Sequence, residues 1–268
     1  MPDSFVDYQG DGRVAILTFA RPEVRNAIGT HQDCRDIVEA VARANDDPWV
    51  SCIILTGRGT AFSAGGNLKA MKERDGIGPL DSPDATRSNY RRGVQSVIEA
   101  LWNCEVPMIA AINGHAIGLG LDLACVCDIR IAADSAKFAS SFIKIGIVPG
   151  DGGAWILPRA IGLSKASELI LTGDTYDAAA ALAMGLVSKL VPLDQLLSEA
   201  QAVAARIVAN PAKALRLAKR LLREGQQQRL TDVLELSAAF QALAHETQDH
   251  AEALDAFFDK REPHFSGN

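Results

Sequence analysis

Two glycine-bearing turns hold the residues most able to do chemistry. In PMIAAINGHAIGLGLDLA, which starts at Pro107, an apolar run of strand length (108–112) breaks at Asn113-Gly114. Gly114, Gly118 and Gly120 then space out a turn into a helix expected over 119–127. A helix start presents backbone N–H groups without intrahelical partners, at the end where the helix dipole favours negative charge, so such a turn can hold an oxyanion. The same composition also suits a tight turn whose glycines only let a helix pack closely on a sheet. A second turn lies upstream. The run 51–56 reads as a buried strand, and the loop 57–66 after it ends in FSAGGNLK, whose last residues look helical. Each turn can aim one amide at a shared point.

FSAGGNLK, AAINGHAIGLGLDLA, CDIRIAADSAKFA and IGIVPGDGGAWILPRAIG together resemble the crotonase superfamily, the enoyl-CoA hydratase and isomerase group. With RPEVRNA near the start, LTGDTYDAAAALAMGLVSKLVP and the closing FFDKREPHF, the resemblance covers nearly the whole chain. Several ordered blocks are far more specific than one glycine motif. The resemblance implies an α/β fold, a spiral of ββα turns with C-terminal helices that make trimer contacts. It also implies a coenzyme A thioester substrate, whose carbonyl turns into an enolate when an α-proton leaves or a nucleophile adds at the β-carbon. Preorganised donors stabilise that charge. Carried over by position, the donors are the amides of Gly66, after Ala64 and Gly65, and Leu119, after Gly118. Asn67, Leu68 and Lys69 continue the first turn, with Lys69 expected near the coenzyme's phosphates and ribose. Val24 and Arg25 are expected at the adenine end, and Phe257 and Lys260 complete the binding set.

Enolate chemistry also needs a group that moves protons. Asp122 stands three residues after Leu119, between Leu121 and Leu123, where an unpaired carboxyl should have a raised pKa. The alternative is an acid placed at a helix N-terminus for the dipole alone. In the family's hydratases this position is one of two catalytic glutamates, so aspartate keeps the carboxylate and shortens its reach. The second glutamate position falls on Phe142, which cannot transfer a proton and would wall the acyl pocket, with Trp155 as a further pocket residue. Asp151, in VPGDGG, is the compensating candidate, against a loop aspartate that only holds turn amides. Family members with other chemistries place an aspartate one residue earlier, where Gly150 stands.

The expected activity is therefore enoyl-CoA hydratase-like addition of water. The alternative is a double-bond isomerase or another CoA-thioester lyase or hydrolase. An alternative of another class is a non-catalytic acyl-CoA-binding or RNA-binding member. No metal and no redox cofactor is expected, and coenzyme A enters only as part of the substrate.

The elements that must position these residues alternate strands and helices. A hairpin is expected from 5–9 and 14–19, a helix over 30–45, a mobile connection over 73–88 and a helix over 89–103. Later helices are expected over 165–171, 178–184, 194–209, 211–223 and 230–258, with a strand at 189–191. This suits an acyl-CoA-binding core over 1–194 and a helical region over 195–268, assembled as a homotrimer or a dimer of trimers.

With 268 residues, 48% of them hydrophobic, the chain can bury a large core. A formal net charge of -6 argues against nucleic acid as a partner, and the basic run RLAKRLLR (216–223) reads as a solvated helix face. No apolar run reaches the ~20 residues of a membrane span, and Met1 to Ser4 does not open a targeting segment, so a cytoplasmic protein with no membrane contact is expected. Five cysteines, an odd number in apolar stretches, read as reduced core thiols. His245 and His250 are five apart, too far for the i, i+4 pair of a zinc helix.

Overall fold

Aliphatic and β-branched runs pair into the larger of two sheets, in a computed structural model that describes residues 4–267. Most of the Met1 to Ser4 start therefore lies outside the described residues. The hairpin β1 (Val6–Asp11) and β2 (Val14–Phe19) leads through a 3-10 turn at Pro22–Val24 into α1 (His31–Asp46). Thr30 starts α1 by accepting from Asp33 N–H while the Asp33 carboxylate accepts from Thr30 N–H, a reciprocal cap. Then follow β3 (Cys52–Gly57), β4 (Ala61–Ser63), α2 (Leu68–Glu73), α3 (Pro83–Arg92), α4 (Val94–Asn103), β5 (Met108–Ile112), β6 (His115–Ile117) and α5 (Leu119–Val126). Next come β7 (Ile129–Ala133), β8 (Lys137–Ala139), a 3-10 turn at Ser141–Ile145, α6 (Gly153–Ile161), α7 (Leu163–Thr172), β9 (Tyr176–Asp177), α8 (Ala178–Ala183) and β10 (Lys189–Val191). The chain closes with α9 (Leu196–Val208), α10 (Ala212–Glu224), α11 (Leu230–His245) and α12 (Gln248–Asp259).

The large sheet has the order β1-β2-β3-β5-β7-β10, parallel except for the first hairpin, and the small one the order β4-β6-β8-β9. Successive units (β3-β4-α2, β5-β6-α5, β7-β8-α6) each give one strand to each sheet before a helix. This is a ββα spiral, and it brings the starts of three helices side by side.

Strands β5 and β3 are almost wholly buried because both sheet faces are covered. The main core fills one face. On the other, α9 lays Leu196, Ala200 and Ala204, one turn apart each time, against Ile54, Ile109 and Ile131. The boundary expected at 195 falls in the 3-10 turn Leu193–Gln195, and the helix beyond it is a layer of the core.

Several expectations are corrected. The segment 73–88 is not one mobile connection: Ser82 caps α3, with Pro83 at its first position, so only 74–82 connects. The helix expected over 89–103 is two helices parted at Gly93, and that over 230–258 is parted before Thr247, whose hydroxyl caps α12. Three of the four cations in the basic run on α10 turn inward, and Arg220 stays exposed. Arg216 Nη1 donates to Asn45 C=O (2.8 Å), Lys219 Nζ to Val106 C=O (2.6 Å) and to Asp128 Oδ2 (2.8 Å), and Arg223 Nη2 to Asp128 Oδ1 (3.1 Å). These cations satisfy carbonyls at the ends of core elements, so charge alone misassigned them to solvent.

All five cysteines are buried and free, and burial pushes the thiols of Cys34, Cys52, Cys125 and Cys127 up to about 12. Among the described residues no helix is long and apolar enough to cross a membrane, and no cluster of three or more metal-ligating side chains occurs.

Candidate active site

The small sheet delivers three turns to one place. β4 runs into Gly65-Gly66 ahead of α2, β6 into Gly118 ahead of α5, and β8 into the 3-10 turn and loop ahead of α6. Gly65 has φ +86° and Gly118 φ +54°, values that favour glycine. The first two turns touch through their backbones. A Cβ on Gly65 would lie 2.4 Å from Ile117 O and 3.2 Å from Leu119 N, and one on Gly120 would lie 2.2 Å from Ser63 O. Buried Asn26 fastens the first turn from outside, its amide donating to Ala61 C=O (2.8 Å), while Ser63 Oγ donates to Asn26 C=O (2.8 Å).

Among the described residues, hydrogen bonding around these turns leaves four amides over, those of Gly66, Leu68, Leu119 and Gly120. Gly118 N–H donates to Ala139 C=O (2.8 Å), Asn67 N–H to Ile28 C=O (2.9 Å) and Gly65 N–H to Ser63 Oγ (3.1 Å). The N–H groups of Gly66 and Leu119 have no acceptor among the described residues, and both residues line one cavity. An unpaired donor away from water costs free energy, so two of them on a shared wall form a place for a ligand oxygen.

Phe142 and Tyr90 wall the same cavity, the Phe142 ring lying so close that a Cβ on Gly118 would be 3.4 Å from its Cζ. Asp151 is also on the wall, only 4% exposed, and Asp122 lies fully buried in contact with it. Two ionised carboxylates are both acceptors, which leaves both Asp122 oxygens and Asp151 Oδ1 without a donor. One proton between them supplies the hydrogen bond. Burial pushes the Asp122 carboxyl well above the usual carboxylate range, and the charge of Asp151 pushes it further, against the N–H of Gly153. Asp151 is raised too, by burial, against the opposing pull of its hydrogen bond with Asp122. Gly153 makes room for this arrangement, since a Cβ there would sit 2.4 Å from Asp122 Oδ2.

Of the other residues expected at the site, Ala64, Asn67, Leu68 and Gly118 line the cavity. Asn67 caps α2 through Oδ1, which accepts from Lys69 N–H (3.0 Å) and Ala70 N–H (3.2 Å), and the Lys69 side chain is free in solvent except for Glu73 at 3.9 Å. Val24 and Arg25 are exposed beside the cavity mouth, where Ala64 N–H donates to Arg25 C=O (2.9 Å).

Three residues are not brought there. Trp155 points to the other side of α6, its ring edge-on to Trp102 at 4.7 Å and under the Arg159 guanidinium at 3.8 Å. Phe257 and Lys260 end α12, exposed, on a helix that packs against α11 and adds nothing to the cavity wall. The sequence reading missed Tyr90, whose phenol is raised by burial and then by the charge of Asp151. Nothing local marks it apart from any half-buried helix aromatic.

The profile of a family described as enoyl-CoA hydratase/isomerase matches residues 9–268. A probable enoyl-CoA hydratase of Mycobacterium tuberculosis is 40% identical, covering 96% of this chain and 95% of that protein. A crotonyl-CoA hydratase of Syntrophomonas wolfei is 36% identical, covering 94% of each. The crystal structure of an enoyl-CoA hydratase from Bacillus anthracis superposes with a TM-score of 0.92 at 31% identity, covering 99% of this chain and 100% of that one.

Proposed function

Because the chain belongs to the enoyl-CoA hydratase/isomerase family, we propose that it adds water across the double bond of an α,β-unsaturated acyl-CoA thioester. The observation that carries this reading is the pair of unengaged amides, Gly66 and Leu119, on the same cavity wall as Asp151. With the thioester oxygen on those amides, the ionised Asp151 takes a proton from water as the water oxygen bonds to the β-carbon. The double-bond electrons move toward the carbonyl, and the enolate charge collects where the two N–H groups point. Asp151 then returns the proton to the α-carbon, the enolate collapses to the thioester, and the enzyme is restored.

In this scheme Asp122 keeps its proton throughout and donates a hydrogen bond to Asp151, positioning it and tuning its basicity. The lost second glutamate is thereby replaced from the α6 loop, and Phe142 closes the acyl pocket in its place. No metal or redox group enters the scheme, and coenzyme A takes part as the substrate's carrier, with Val24, Arg25 and Lys69 at the mouth on its side.

The exposed apolar residues of the C-terminal helices, among them Leu230, Leu234, Leu243, Phe257 and Phe258, support assembly as a homotrimer or a dimer of trimers. The apolar lining of the cavity supports an acyl thioester as the partner over RNA.

The test is incubation with crotonyl-CoA followed by mass spectrometry. Hydration adds one water to the thioester. Phe142 at the second-glutamate position favours double-bond isomerisation as the other outcome, because one carboxylate can shuttle one proton. Incubation with a 3-enoyl-CoA would then give its 2-enoyl isomer at unchanged mass, with no hydrated product from crotonyl-CoA. Release of free thiol would mark a hydrolase.

A further inference from the structure

The cavity continues past the carboxylate pair. Tyr90, Ile147 and Val148 line it and also line an adjoining groove, whose wall includes Arg87, Arg91, Gln95 and Gly150. Arg87, Tyr90 and Arg91 lie at i, i+3 and i+4 on α3 and so share one face. Both arginines are exposed, and neither makes an ion pair or hydrogen bond among the described residues. Gln95 Nε2 donates to Gly150 C=O (2.7 Å), which holds the loop carrying Asp151 against α4 and fixes the junction of cavity and groove.

None of the residues of the two amide turns lines this groove, whereas Gly150, the neighbour of Asp151, does. An acyl chain with its carbonyl at Gly66 and Leu119 and its β-carbon at Asp151 would reach the arginines by running past Tyr90, Ile147 and Val148, the residues that line both the cavity and the groove. The guanidinium fork matches a carboxylate in two parallel hydrogen bonds. An alkyl end in the same place would meet two hydrated cations and gain little.

We propose that Arg87 and Arg91 form a subsite for a terminal carboxylate, so that the preferred substrate is the coenzyme A monothioester of an unsaturated dicarboxylic acid. This rests on reading the cavity as an acyl-CoA site.

Binding of two saturated probes tests it without turnover. Hexanoyl-CoA and adipyl-CoA carry the same coenzyme and six acyl carbons, so contacts to the coenzyme's phosphates cancel in the ratio of their dissociation constants. The wild-type protein is expected to bind adipyl-CoA about tenfold more tightly. In the Arg87→Gln, Arg91→Gln double variant the two affinities should become equal, with that for hexanoyl-CoA unchanged, which also reports an intact fold. Equal affinities in the wild type, or a preference that survives in the double variant, would overturn the subsite while leaving the acyl-CoA reading in place. Binding of neither thioester would overturn both.

Discussion

The carboxyl groups of Asp122 and Asp151 are in hydrogen-bond contact, and only that of Asp151 borders the cavity. One proton held between two buried acids makes their environments unequal, and unequal environments give the two residues different tasks.

Substitution should separate those tasks. Asp151→Asn is expected to lower kcat by about 10²–10⁴, because it removes the group that exchanges protons with substrate, and to leave the affinity for a saturated acyl-CoA unchanged. Asp122→Asn keeps a neutral side chain of the same shape and should cost about tenfold or less. The wild-type rate should fall toward acid as Asp151 is protonated and toward alkali as Asp122 loses its proton, and Asp122→Asn should abolish the alkaline fall alone. A rate profile from which Asp122→Asn removes the acid limb, or a loss as large as that of Asp151→Asn at every pH, would reverse the assignment.

Stability should carry the same signature. An Asp122 carboxyl exposed by unfolding titrates near its ordinary value of 3.8, whereas the native one is raised well above it. Between the two values the folded state binds the extra proton, so stability decreases as pH rises, by up to about 1.4 kcal/mol per pH unit for one proton. Below the ordinary value both states are protonated and the dependence vanishes. Urea midpoints of Asp122→Asn should therefore gain on the wild type steadily from acid to neutral pH, and parallel curves would contradict the raised pKa.

The close approach of the two amide turns can be probed with one methyl group. Gly120→Ala places a Cβ 2.2 Å from Ser63 O, which forces the turns apart at a helical position where alanine is otherwise favourable. A loss of about 2 kcal/mol in stability and about 10²–10³ in kcat is expected, the second because one donor is displaced. Gly10→Ala, with nothing within 4 Å of its new atom, should change kcat not at all. Equal kcat for the two variants would show that the spacing of the turns is irrelevant to the reaction.

Lys219 offers a test away from the cavity. Its ammonium is 5% exposed and bound to Asp128 Oδ2 and Val106 C=O, so Lys219→Met leaves an acceptor and part of a charge unpaired. The expected cost is about 3 kcal/mol in a denaturation experiment with kcat unaltered. An unchanged midpoint would mean that the buried pair adds nothing to the docking of α10.

The sequence made the two turns legible because glycines at 65, 118 and 120 are demanded by backbone contact, and such demands leave a mark in residue type, whereas the choice of the Gly66 and Leu119 amides came from the family resemblance. Asp122 was legible from its leucine neighbours. Strands β4, β6 and β8 were not, since three residues show no period, and so the small sheet that aligns the turns could not be read. Trp155 was misplaced because one step along α6 rotates a side chain by about 100°, which a motif does not record. Tyr90 and the groove beyond it depend on how α3 meets the α6 loop across the break at Gly93, a contact between distant segments with no local signature.

Gly153 contributes to the acid next to it without having a side chain. Its bare α-carbon lets the first peptide of α6 come up to Asp122, so the positive end of that helix faces the site where a proton would have to leave. Widen that residue by a single carbon and the helix must retreat, taking its field with it. How strongly this enzyme's hidden carboxyl holds its hydrogen is thus written in a residue that alignments of functional side chains would pass over.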